Sequence, residues 1–211
     1  MSGFLGIVLR QRLLQRWSLM DCHRNENVLE HTAVVGMLAL LAGHIGRHQG
    51  RDLNVEKMIN HALVHDFNEV LTQDVISPIK AANAEIASGY AKLEAAAEAQ
   101  ILDTLPDYLR DAIYDDCHPG GYEQELVKAL DSYAAYIKCR QEMAAGNQVE
   151  FGDALTKMTE LVEKLTAKYP ELCELHRLFG DSLCSSVDEL LRSKAADHIV
   201  LPLDEASRKR A

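Results

Sequence analysis

The chain has 211 residues, 47% hydrophobic and 26% charged, which is the composition of a folded globular protein and excludes wholesale disorder. Its 22 Lys and Arg are outnumbered by 32 Asp and Glu, and the net charge of −10 argues against nucleic acid or an anionic membrane as partner. Five cysteines without a C-x-x-C pair argue against a zinc–thiolate site and fit a reducing, cytoplasmic setting.

The opening apolar run meets Arg10, Arg12 and Arg16, which makes it too short and too charged for a signal peptide. Residues 3–17 read as a first helix and residues 20–26 as a loop. A very apolar second helix follows over about residues 28–48, with Asn27 as its N-cap. Its candidate membrane-spanning stretch, residues 33–45, falls short of the roughly 20 apolar residues that span a bilayer. Asn54 caps a third helix that reaches His65. A break is expected at residues 73–78, where Pro78 disfavours helix for Ser77. The alanine-rich segment 81–105 and a short helix after Pro106 come next. The Pro-Gly-Gly content of CHPGGY, residues 117–122, marks a loop. Residues 123–145 form a strong amphipathic helix closed by Gly146-Asn147, and residues 151–168, 170–179 and 186–196 complete the helical set. No segment alternates in the manner of a strand. The expectation is one all-α domain over residues 1–200, with residues 201–211 as a loose tail.

The segment ALVHDFNEVLTQD places His65, Asp66, Glu69 and Asp74 against an apolar helix, where charge is costly unless compensated. His65 and Asp66 are neighbours, so both reach one point only near a helix end or bend, which the coming break supplies. Glu69 shares their side if the turn continues. Two further donors interrupt apolar helix faces, His31 and Asp131. Two imidazoles and two carboxylates suit a divalent ion with coordination positions left for water. The bland alternative has His65 capping a helix, Asp66 in a turn, and His31 and Asp131 as satisfied core polar groups. A separate pair, His61 and His65 at i, i+4, lacks the glutamate of the H-E-x-x-H pattern.

Three runs in order, RWSLMDCHRNENVLEH, HDFNEVLTQDVISPIK and KALDSYAAYIKCRQEMAAGN, resemble the HD-domain phosphohydrolases, and among them the YfbR-like 5′-deoxynucleotidases. The resemblance covers roughly residues 13–147. It implies an all-α, usually homodimeric enzyme that holds one divalent ion (Co, Mn, Mg, Fe or Zn) through His31, His65, Asp66 and Asp131. It further implies Glu69 as the catalytic glutamate and Arg16 and Trp17 as the residues that contact phosphate and select against a 2′-hydroxyl. Asp74 would contact the sugar 3′-hydroxyl, and Lys80 would lie on the phosphate side. The implied reaction is hydrolysis of a 2′-deoxyribonucleoside 5′-monophosphate, a small-molecule nucleotide substrate. The alternative is a deoxynucleoside triphosphohydrolase that releases tripolyphosphate. A two-metal or oxygenase variant would need extra histidines, of which only His118 lies between Asp66 and Asp131.

From chemistry alone, Arg16 can fork onto phosphate oxygens where Lys80 offers a point charge. Trp17 reads either as a core or interface anchor or as a steric wall beside a sugar. Leu29 stands where the family commonly has a small polar residue, Gln73 replaces a glycine, and Val75-Ile76-Ser77 replaces a Pro- and Thr-rich stretch. All three departures flank the substrate side.

Overall fold

The computed structural model describes residues 2–80 and 82–193. Its helices are α1 (Phe4–Val8), α2 (Val28–His48), α3 (Val55–Val64), α4 (Glu69–Thr72), α5 (Ser77–Lys80), α6 (Ala84–Leu102), α7 (Asp107–Cys117), α8 (Gly121–Ala144), α9 (Gln148–Lys168), α10 (Pro170–Phe179) and α11 (Val187–Arg192). Among the described residues the β-type pairing is a single antiparallel bridge, Gln15 to Asn27, so the chain is all-α as expected. Residues 201–211, the expected tail, lie outside the described residues.

A capping box fixes where α2 begins. The Asn27 side chain accepts from the Glu30 amide at 3.0 Å, and the Glu30 carboxylate accepts from the Asn27 amide at 3.0 Å. That start sets the rotation of the helix. It buries Val35, Leu38, Ala39 and Ala42 against Met58 and Ala62 of α3, Leu130 and Tyr133 of α8, and Leu172 and Leu175 of α10. Each such large apolar side chain contributes about 1.5–3 kcal/mol through burial. Gly43 permits the close approach of α3, because a Cβ there would lie 2.9 Å from Val55 Cγ2. By length and composition α2 is apolar enough to cross a membrane, a longer stretch than the sequence reading allowed. Half of its apolar window is nevertheless buried inside the bundle, and His31 sits fully buried near its start. It is the core helix of the fold.

A smaller core joins Phe67, Ile101, Leu102 and Cys117, with Phe4 and Ile7 of α1 packed on it. It fixes the α3–α4 junction, where the His-Asp pair lies, against α6 and α7.

Several boundaries differ from the sequence reading. The first helix does not reach Trp17: α1 ends at Val8, a 3₁₀ turn covers Leu9–Leu13, and Leu14 is extended. The cause is tertiary. The Arg16 amide donates to the Glu26 carbonyl at 2.9 Å and the Val28 amide to the Leu14 carbonyl at 3.0 Å, which pulls this segment out of helix. The break after α4 ends at Ser77, since Pro78 falls in a first helical turn that has no use for its missing N–H. α8 begins at Gly121, inside the expected CHPGGY loop, and α9 at Gln148 instead of residue 151. α6 is shorter at both ends than residues 81–105, Ala81 lying outside the described residues. A 3₁₀ turn, Gly180–Cys184, follows α10, and α11 ends at Arg192. Gly146 takes φ 93 after α8 and lets the Asn147 amide reach the Glu142 carbonyl at 3.0 Å, the helix stop expected there.

Candidate metal centre

Three elements bring the metal-binding donors together. His31 comes from the first turn of α2, His65 is the residue that ends α3, and Asp131 lies midway along α8. Their ligand atoms all lie within 4.8 Å of one another. His31 Nε2 is 2.8 Å from Asp131 Oδ1, and Asp66 Oδ2 stands 3.0 Å from His65 Nε2 and 3.8 Å from His31 Nε2. Donors about 2.1 Å from a common ion and at right angles to one another are about 3.0 Å apart, so this spacing fits a divalent cation. The imidazole of His65 is also set up for it. Its Nδ1 faces the Ala62 carbonyl at 2.8 Å, which places a proton there and leaves the buried Nε2, beside the Asp66 carboxylate, as the ligand atom.

The electrostatics favour a cation at the same point. Burial alone would lower His65, yet the Asp66 carboxylate beside it raises the imidazole to about 9. Burial would raise Asp66, but His65, then His31 and Arg16, hold its carboxyl well below the usual carboxylate range. Asp131 is likewise lowered against burial, through its hydrogen bond with His31. His31, His65 and Asp131 therefore form a divalent-metal triad within the helical core, with two ionised carboxylates at hand.

Glu69 opens α4 and is 5% exposed, with Oε2 buried and without a hydrogen-bond partner. Burial, then the like charges of Asp66 and Asp74, push its carboxyl up to about 8. Lys80 Nζ lies 3.6 Å from Glu69 Oε1 and 3.0 Å from Glu94 Oε1. Arg16 Nη1 is 3.7 Å from Asp66 Oδ2 and its Nε 3.7 Å from Glu26 Oε2. Both are ion pairs beyond hydrogen-bond reach, so the guanidinium is held while its fork of donors stays available.

Beside this centre lies a cleft of about 480 Å³ lined by Arg16, Trp17, Met20, Asp74, Ile76 and Met158, among others. Trp17 is thus at the cleft and outside the main apolar cluster: its indole N–H donates to Glu26 Oε2 at 3.0 Å, and its ring centroid is 5.4 Å from that of Phe151. Trp17 and Gln73 are the two non-glycine residues at positive φ among the described residues, 57 and 67. Gln73 therefore occupies a backbone conformation that glycine adopts most readily.

All nine site residues expected from the sequence lie at the centre or beside it. His61 does not join them: its Nδ1 faces the Asp116 carbonyl at 3.0 Å, and the ligand atoms that cluster are those of His31, His65 and Asp131. His118 lies 3.4 Å from Glu98 instead. The sequence reading missed Glu26 and Glu94, and it missed that α9 supplies Ala154, Lys157 and Met158 to the cleft. The apolar spacing of α9 gave a helix; nothing in it marked which residues a neighbouring loop leaves uncovered.

An all-α bundle with a His/Asp triad in its core defines a helical protein built around a divalent-metal site. Over residues 3–183 the chain matches the family described as 5′-deoxynucleotidase YfbR-like. It is 37% identical over 193 residues to the 5′-deoxynucleotidase YfbR of Salmonella paratyphi B, covering 90% of this chain and 96% of that protein. The chain belongs to the YfbR-like 5′-deoxynucleotidase family. Solved structures share the fold. An HD-domain phosphohydrolase from Listeria innocua has a TM-score of 0.75 at 14% identity, over 88% of this chain and 90% of that one. A cyanophage S-2L HD phosphohydrolase bound to dA and one catalytic zinc ion has a TM-score of 0.55 at 21% identity, over 84% and 95%. The protein acts as a phosphohydrolase on a nucleotide through its metal site.

Proposed function

We propose that the chain hydrolyses 2′-deoxyribonucleoside 5′-monophosphates to the deoxynucleoside and orthophosphate. The observation that carries this reading is the junction of the metal centre with the Arg16–Trp17 cleft, in a chain 37% identical to a 5′-deoxynucleotidase. Asp66 completes the ligand set with His31, His65 and Asp131. A divalent ion bound there supplies a Lewis acid for phosphate oxygens and makes water a stronger nucleophile near neutral pH.

The chain's own residues do the rest. Glu69 is not a ligand in this reading. Its unpartnered Oε2 accepts a proton from the attacking water once the carboxyl is ionised. Burial and the like charges of Asp66 and Asp74 raise it past neutral pH, and the charge of Lys80 and of a bound ion would favour the ionised form. Arg16 forks onto phosphate oxygens that carry about −1.5 to −2 at neutral pH. Lys80 offsets the charge of Glu69 from the phosphate side. Asp74, at the cleft, accepts a hydrogen bond from the sugar 3′-hydroxyl, and the Trp17 ring occupies the volume a 2′-hydroxyl would need.

Charge matching favours a monophosphate over a triphosphate. Lys80 is already engaged by two carboxylates, which leaves Arg16 and the ion for the phosphate. Product analysis tests the assignment: orthophosphate from deoxynucleoside monophosphates supports it, whereas tripolyphosphate from the triphosphates would replace it with a triphosphohydrolase.

We further read the protein as a cytoplasmic homodimer. The exposed Met37 and Leu41 of α2 and Leu63 of α3, which packs beside Gly36, support an apolar face for a second copy.

A further inference from the structure

The segment from Leu14 to Asn27 leaves α2's N-terminus, carries Arg16 and Trp17 to the cleft, and returns. One residue on its returning limb touches both. The Glu26 carbonyl accepts from the Arg16 amide at 2.9 Å; its side-chain Oε2 accepts from the indole N–H at 3.0 Å and lies 3.7 Å from the Arg16 guanidinium. The Glu26 side chain is only 14% exposed, as is that of Arg16, so this contact works in a poorly screened setting. Trp17 needs such a hold. Its φ of 57 is sparsely populated for a bulky residue and persists only where surrounding contacts enforce it. Phe151, with its ring centroid 5.4 Å away, backs the indole but fixes no rotation about its axis.

We propose that Glu26 is a positioning residue for substrate selection: one carboxylate oxygen sets the indole edge and the guanidinium in register, and so couples phosphate binding to exclusion of the 2′-hydroxyl. This rests on the reading of Arg16 and Trp17 given above. The competing explanation is that Glu26 merely staples the loop, a task its backbone carbonyl performs with any side chain.

The two chemistries are separable by substitution. In Glu26→Gln the amide oxygen still accepts from the indole while the charge facing Arg16 is gone. Glu26→Ala loses both. Trp17 is the only tryptophan in the chain, so its fluorescence reports the clamp without any need for turnover.

The experiment compares wild type, Glu26→Gln and Glu26→Ala by three readouts, with Trp17→Ala, which leaves no tryptophan to quench, carried through the two kinetic ones. These are acrylamide quenching of Trp17 fluorescence, the deoxy-to-ribo ratio of kcat/KM on nucleoside monophosphates, and competitive inhibition by inorganic phosphate. Glu26→Ala is expected to raise quenching about twofold and to lower the deoxy-to-ribo ratio by about tenfold, the scale of one hydrogen bond to a charged group. Glu26→Gln should keep quenching and ratio near wild type while phosphate inhibition shifts several-fold. Quenching and ratio within twofold of wild type in Glu26→Ala would overturn the proposal. If the alanine variant does not fold, unchanged phosphate inhibition in the isosteric glutamine variant overturns it instead. A Trp17→Ala ratio equal to wild type would refute the assigned role of Trp17 itself, while the quenching result still decides the clamp.

Discussion

Glu142→Gln probes how the loop over the cleft is held. Glu142 is 2% exposed and accepts from the His23 amide at 2.9 Å, the Arg24 amide at 3.1 Å and Asn147 Nδ2 at 2.9 Å, and it pairs with the Lys138 ammonium. Lys138, itself 5% exposed, also donates to the Arg24 carbonyl, and Asn147 to that of Asp21 at 2.8 Å. The pair and Asn147 thus tie residues 21–24 to α8. Burial works to raise Glu142, but Asn147, Lys138 and the two amides lower it to about 2.

Against an unfolded value near 4.3, that depression is worth about 3 kcal/mol, which agrees with the roughly 3–5 kcal/mol expected when one partner of a buried ion pair is removed. The sign follows from the direction of the shift. The folded pKa lies below the unfolded one, so the contribution is fully present above about pH 4.3 and is lost as pH falls towards 2. Urea titrations at pH 7, 5, 4 and 3, followed by far-UV circular dichroism, should show the variant about 3 kcal/mol less stable at pH 7. At this chain length that is about 6–12 °C in Tm. The gap should close through the acid range, and adding Lys138→Met should recover part of the loss. A difference under about 1 kcal/mol at neutral pH, or one unchanged between pH 5 and 3, would refute the reasoning.

Gln73→Gly should stabilise the chain by about 1 kcal/mol in urea midpoint measurements, because relief of a strained positive φ worth about 1–3 kcal/mol exceeds the backbone entropy of glycine; net destabilisation would contradict it. Asp131→Asn should weaken divalent-ion binding by more than about a hundredfold in calorimetric titration, since a charged ligand outweighs the tenfold to hundredfold typical of its supporting groups. The same variant should lose most of the rise in Tm that saturating ion gives the wild type, about 4 kcal/mol at a thousandfold excess over Kd. Met37→Asp combined with Leu63→Asp should yield a monomer by light scattering with its helical signal intact; an unchanged dimer would place the interface elsewhere.

The sequence made some of this legible and hid the rest for physical reasons. His31 and Asp131 stood out because each breaks an apolar helix face, and His65-Asp66 because a break follows them; three ordered motifs then tied the four together. The helix expected through Trp17 failed because Arg16 and Val28 take backbone partners across the loop, a tertiary choice that local periodicity does not record. Glu26 and the cleft-facing residues of α9 went unread for the same reason. Glu26 is ordinary loop sequence until Trp17 is seen to reach it, and Lys157 and Met158 are ordinary helix until the loop leaves them open. Gln73 is the reverse case: it was visible as a departure in sequence, and its φ of 67 gives that departure a structural meaning.

The central claim is that the His/Asp metal site and Glu69 together hydrolyse a deoxynucleoside monophosphate. Its most direct test measures orthophosphate release from a deoxynucleoside 5′-monophosphate by wild type and Glu69→Ala, each loaded with the same divalent ion and assayed for metal content. Wild type should turn over and lose activity to a chelator, while Glu69→Ala keeps its metal and falls by about 10²–10⁴-fold. Wild-type-like release by the Glu69→Ala variant, or no orthophosphate from metal-loaded wild type, would contradict the account.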